Sequence, residues 1–183
     1  MNFSADPFLT IVLSSILIVA AIIDIRIQKI PNILTFPAIV VGLTYHSVAN
    51  GLSGFIFSSE GLAMGIAIFL IPYMMGGMGA GDAKLMGAAG AMIGPKGVVI
   101  ACLFTAVVGG IYALIVFLFN MQYLKGFIAR SATTVKAFAF TRNFIPIPAD
   151  ESEKNPRLCY GIAIAIGTLF YVFIEGFGYK FPI

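Results

Sequence analysis

Twenty-four consecutive residues, Gly97 to Asn120, carry no charged side chain, and five further apolar runs cover 8–23, 33–49, 61–78, 83–94 and 158–175. A helix that crosses the hydrocarbon core of a bilayer needs about 20 predominantly apolar residues. In lipid every backbone N–H and C=O must find its partner within the protein, which leaves helices or closed barrels. A barrel would show alternation with a period of two, and these runs do not. Only 10% of the residues are charged, against about 25% in soluble domains. The chain is therefore expected to be all-α: a polytopic membrane helix bundle of about six transmembrane helices, forming a single membrane-embedded domain over 1–183. The fourth run is too short for an ordinary span and is rich in Gly and Ala. That composition predicts a helix packed deep in the bundle or supported by its neighbours.

Cationic residues set orientation. If the runs cross alternately, Arg26, Lys29, Lys84, Lys125, Arg130, Lys136, Arg142, Lys154 and Arg157 fall on one side and only Lys96 and Lys180 on the other. The first side is expected to be cytoplasmic, with the N-terminus outside. The residues before the first run carry only Asp6, so that run lacks the basic flank of a cleavable signal peptide and reads as a retained span. The basic residues form no patch with interleaved aromatics, which argues against nucleic acid as a partner. Cys102 and Cys159 are far apart and form no CxxC pair, as expected of small packed side chains.

The longest polar connection is 121–157. Its first part, QYLKGFIARSATTVKAF, spaces Leu124, Phe127, Ile128, Val135 and Phe138 as a helix would, with cations among them. This predicts a helix lying on the cytoplasmic surface. The following IPIPADESEKNP is proline-rich and acidic and is expected to be loop.

Two acids stand out against this background. Asp82 lies in GAGDAKLMG, where it could cap the helix that follows, while Gly79 and Gly81 would allow positive φ or a close approach of another segment. Asp24 lies in AIIDIRIQKIPNILTF, at the end of the first run, with Arg26 as a nearby counterion. The alternation that sorts the cations puts both acids at the same membrane boundary. Acids at membrane depth are costly and mark function when they have a partner. Two carboxyls brought close cannot both ionise freely, so one is held neutral while the other stays charged. Such a pair suits amide hydrolysis by an activated water: the ionised acid takes the water's proton, and the neutral acid polarises the carbonyl and then protonates the leaving amine. The sequence offers no HExxH, no phosphate loop and no cluster of metal ligands, so no cofactor or metal is expected. The lone His46 lies towards the opposite end of the second run, where a packing role is expected.

GMGAGDAKLMGAAGAMIG resembles the GxGD signature of the type IV prepilin peptidases, which are membrane aspartic proteases. DIRIQKIPNILTF resembles that family's other signature, an acid followed by a base and then I-P-N, and PRLCYGIAIAIGTLF resembles its last span. The resemblance implies that Asp24 and Asp82 form the catalytic dyad. It implies that Gly79 and Gly81 shape the turn, that Lys84 is the family's base two residues after the acid, and that Pro31 and Asn32 start the second helix and support the loop holding Asp24. It implies a pilin or pilin-like precursor as substrate, cut at the cytoplasmic face of the inner membrane. Long family members carry an extra N-terminal domain, often with CxxC pairs, linked to N-methylation. This sequence is more similar to the short, peptidase-only members of tight-adherence pilus or archaeal preflagellin systems, so no methyltransferase domain is expected.

A small ion-coupled transporter or channel is the competing reading, with the acids coupling ions. Against it, both acids fall at one end of the bundle instead of near its midplane. Presenilin-like or signal-peptide-peptidase-like enzymes are a further alternative, but the first acid lacks the YD pair and the C-terminal part lacks PAL.

Overall fold

The structure is a computed structural model that describes residues 7–74, 78–119 and 159–177. The surface helix and loop expected within 121–157, together with Lys180, lie outside the described residues. Four helices carry the described chain: α1 (Pro7–Ile27), α2 (Asn32–Met74), α3 (Ala80–Phe119) and α4 (Tyr160–Gly176). Three of them, α1, α2 and most of α3, are long and apolar enough to cross a membrane, and α4 is a shorter apolar helix.

α2 and α3 are each broken by a glycine. Gly51 has φ 59° and ψ −138°, and Gly94 has φ 78° and ψ 178°. Positive φ is strained for any residue with a Cβ, and among the described glycines only these two adopt it. Pro95 follows Gly94 and removes the N–H that would have continued the helix.

Contacts along α3 show that the chain reverses at both breaks. Going up the first half of α3, Gly81 meets Ile30, Ala91 meets Gly42 and Met92 meets His46, so the first half of α2 runs alongside in the same sense. The second half of α2 returns: Ser58 meets Ala91, Gly61 meets Gly90 and Gly65 meets Met86. Beyond Gly94, Gly97 meets Tyr171, Thr105 meets Gly167 and Gly109 meets Tyr160, so the second half of α3 descends while α4 ascends.

Small residues make these approaches possible. Gly42, Gly54, Ser58, Gly61 and Gly65 lie on the buried side of α2, the pattern by which membrane helices bring their backbones together. The first half of α3 sits in the middle, every residue from Leu85 to Gly94 being buried. Deep packing, one of the two outcomes its composition predicts, is the one observed.

The break at Gly94 leaves carbonyls without helical partners. α2 supplies them. Ser58 Oγ donates to the Ala91 carbonyl at 2.6 Å, replacing the N–H that Pro95 lacks, and His46 Nε2 donates to the Met92 carbonyl at 2.8 Å. His46 is buried, with its ring edge-to-face on Phe57 at 5.1 Å. Its place is a core position at the end opposite both acids, in keeping with the packing role expected of it.

α1 shows its buried stripe plainly: Leu9, Leu13, Leu17, Ala20 and Asp24. Ile11, Ile18, Ile22 and Ile25 are exposed on its other side.

Candidate active site

Asp24 occupies the last position of that stripe, one turn before α1 ends. The sequence suggests an acid beyond the first span, but α1 continues to Ile27 and carries Asp24 inside it. The helix is closed by Gln28, whose φ of 54° is unusual for a residue with a side chain. Gln28 N–H donates to the Asp24 carbonyl at 2.8 Å, the single bond of a left-handed helix cap. The Cys159 thiol also donates to that carbonyl, at 3.8 Å.

The Asp24 carboxyl points inward, away from Arg26. Its Oδ2 accepts the backbone N–H of Gly161 at 2.9 Å, while Arg26 is exposed. The nearby counterion that the sequence offers, Arg26, is thus replaced by the N-terminus of α4. Residues two apart on a helix do not share a face.

Asp82 sits in the first turn of α3, as its third residue. It is not the N-cap itself. Its Oδ2 reaches back to accept the Gly79 N–H at 2.9 Å, and its own N–H donates to the Gly79 carbonyl at 3.1 Å. This is the side chain of a capping box, an acid in the third position closing onto the cap residue's N–H. Gly79 and Gly81 do not adopt positive φ; their smallness serves proximity. A Cβ at Gly81 would lie 3.0 Å from both the Cβ and the carbonyl oxygen of Ile30, so the turn before α2 rests directly on the start of α3.

The two acids are brought together. Asp24 is 5% exposed and Asp82 7%, and the charge of Asp24 acts on Asp82. Cys159 interacts electrostatically with both, and Tyr160 with Asp82. Four segments therefore converge: the end of α1, the start of α2, the start of α3 and the start of α4. Sequence reading missed the last contributor. A legible signal existed, because α4 begins in RLCYG with no Ser, Thr, Asp or Asn to cap it, and an uncapped buried helix end needs an acceptor from elsewhere.

The supporting residues lie at the same end. α2 starts at Asn32, immediately after Pro31. Lys84 Nζ donates to Asn32 Oδ1 at 2.9 Å and sits 5.5 Å from the centre of the Phe36 ring. Lys84 thus ties α3 to α2. Among the described residues no group of three His, Cys, Asp or Glu side chains is arranged to hold a metal ion.

Fold and site together define a helical membrane bundle with two buried carboxyls held at one end. The chain belongs to the type IV leader peptidase family, whose profile matches residues 11–114. That range contains Asp24, Pro31, Asn32, Gly79, Gly81, Asp82 and Lys84. A curated relative, the prepilin leader peptidase/N-methyltransferase of Bacillus subtilis strain 168, is 30% identical over 114 residues, which cover 61% of this chain and 45% of the relative. The match thus spans less than half of that relative's length. No solved structure matches the chain.

Proposed function

We propose that this protein is an aspartic endopeptidase of the GxGD type that removes the leader of pilin-like precursors, with Asp24 and Asp82 as its catalytic pair. The observation that carries the reading is the placement of two buried carboxyls at the same end of the bundle, one from the end of α1 and one from the start of α3, in a chain of this family.

A water between the carboxyls is the nucleophile. The dyad holds one proton: the ionised acid accepts the water's proton as the oxygen attacks the scissile carbonyl, and the protonated acid hydrogen-bonds the carbonyl oxygen. Collapse of the tetrahedral intermediate breaks the C–N bond, and the leaving amine takes its proton from the dyad. Gly79 N–H and Gly161 N–H each occupy an Oδ2, which fixes the direction of both carboxyls for this exchange. Gly81 permits the close packing behind Asp82, and Lys84 with Asn32, next to Pro31, braces the first turns of α2 and α3.

In the bilayer the bundle has six transmembrane helices, because α2 and α3 each fold back at their glycine and cross twice. The site end carries Arg26, Lys29 and Lys84, and Lys96 lies beside the opposite break, so the site faces the cytoplasm and the N-terminus lies outside. The inner membrane is its location and lipid its surroundings. The first half of α3 is about 21 Å long at 1.5 Å per residue, and its burial frees it from matching the membrane thickness. The substrate is a precursor whose leader stays cytoplasmic ahead of an apolar helix. Both acids sit at one end of the helices, which supports a peptidase over an ion-coupled transporter working at the midplane.

The test is purified protein in detergent or lipid, incubated with a pilin precursor encoded in the same genome. Asp24→Asn and Asp82→Asn should each abolish cleavage while leaving the protein inserted and folded. Full cleavage by either variant would remove the dyad.

A further inference from the structure

The family profile ends at residue 114, yet the hydrogen bond that orients Asp24 comes from residue 161. We propose that Gly161 is a positioning residue of the site, acting through Asp24 in the reaction proposed above, on which this inference rests.

Two features of Gly161 act on the carboxyl. The first is its N–H, one of the donors that a helix start leaves without an intrahelical partner. Cys159, at the N-cap of α4, makes no side-chain cap bond, and Asp24 Oδ2 accepts the Gly161 N–H in its place at 2.9 Å. One carboxylate thus caps a helix 137 residues away in sequence and belongs to the dyad.

The second feature is the missing side chain. A Cβ at position 161 would lie 2.8 Å from Asp24 Oδ2, 2.9 Å from its Cβ and 3.0 Å from its Cγ. Rotation about χ1 would move the carboxyl aside but cannot move Asp24 Cβ, which is fixed to the α1 backbone. Any side chain at 161 therefore forces α4 away from α1, and the N–H is withdrawn from the carboxylate along with it. Asp82 has no such dependence, because its own donor, Gly79, is three residues away in the same turn. The two acids are thus held differently: one by its own helix end, the other by the docking of α4.

Displacing a reacting group by about 1 Å can cost on the order of 100-fold in rate. Gly161→Ala is expected to lower kcat between 10- and 100-fold, with KM for the pilin precursor changed less than about threefold, because the substituted atom reaches a dyad acid and not the substrate. Gly54→Ala provides the comparison. Its Cβ would strike the carbonyl of His46, at the end of the bundle opposite the acids. It should lower the thermal midpoint while leaving kcat per folded molecule close to that of the wild type.

A readout independent of activity uses the pair itself. Gly161→Ala should lower the thermal midpoint in the parent chain and lower it much less in an Asp24→Gly background, where the colliding atoms are gone. If Gly161→Ala alone does not fold, recovery of folded protein by Asp24→Gly makes the same point. Unchanged kcat in Gly161→Ala, or a midpoint loss that is the same in both backgrounds, would overturn the proposal. Should the wild type cleave no precursor, the endopeptidase reading fails, and the thermal coupling of positions 24 and 161 alone then decides whether Gly161 holds Asp24.

Discussion

Gly61 and Gly90 face each other so closely that a Cβ on either would strike the carbonyl oxygen of the other. The second half of α2 and the first half of α3 touch backbone to backbone at this point, midway along the most buried helix of the bundle. Gly61→Ala or Gly90→Ala must push the helices apart and should cost about 1–3 kcal/mol. Gly110, with nothing within 4 Å of its Cβ position, is the control: Gly110→Ala should be neutral or stabilising by up to about 1 kcal/mol. Thermal midpoints in one detergent check all three.

Ser58 and His46 serve the broken end of the first half of α3. Ser58→Ala leaves the Ala91 carbonyl buried and without the donor that Pro95 cannot provide, at a cost of about 1–3 kcal/mol. His46→Phe strands the Met92 carbonyl in the same way, whereas His46→Gln keeps a donor and should lose less. Both positions are remote from the acids, so cleavage per folded molecule should be unchanged in all three variants. A loss of turnover without a loss of midpoint would show that this end takes part in the reaction.

Asp24 has a structural task as well as its proposed chemical one, and two substitutions separate them. Asp24→Asn retains an oxygen that accepts the Gly161 N–H, so the fold should be kept and cleavage lost. Asp24→Ala removes the acceptor as well and should lose roughly 1 kcal/mol more, the usual worth of a helix cap. Equal thermal midpoints for the two variants would show that the Gly161 bond contributes nothing to stability.

The link from Lys84 to Asn32 predicts a coupled pair. Because Asn32 is exposed, the coupling should sit at the low end for a hydrogen bond, about 0.5 kcal/mol. Lys84→Met and Asn32→Ala should each reduce turnover by less than about tenfold, and the double variant should lose less than the two combined. Strict additivity would mean that the bond does not brace the site.

Much of this architecture is legible in residue order. The apolar runs locate the helical segments, and alternation of cations places Asp24 and Asp82 at one end. The stripe Leu9, Leu13, Leu17, Ala20 carries Asp24 inward by spacing alone. Other features depend on three-dimensional approach and leave little local trace. The role of Gly81 is proximity to Ile30 instead of a special φ, and a glycine in a sequence does not say which of the two it serves. Asp82 was open to reading as an N-cap because the start of a helix is blurred by one or two residues; the helix begins at Ala80. Gly161 was hidden because its partner is 137 residues distant.

Gly51 decides an arithmetic of sides. A chain that leaves one face of a membrane and is to return to it must cross an even number of times. In the six-span arrangement proposed above, the described chain between Asp24 and Asp82 crosses along α2. Drawn as one straight rod, the 43 residues of α2 would extend about 65 Å and deliver Asp82 far from the end where Asp24 waits. The positive-φ turn at Gly51, with φ 59° and open space around it, reverses α2 and would make that passage a round trip in the proposed arrangement. A residue that touches neither acid thus fixes the parity on which their meeting depends.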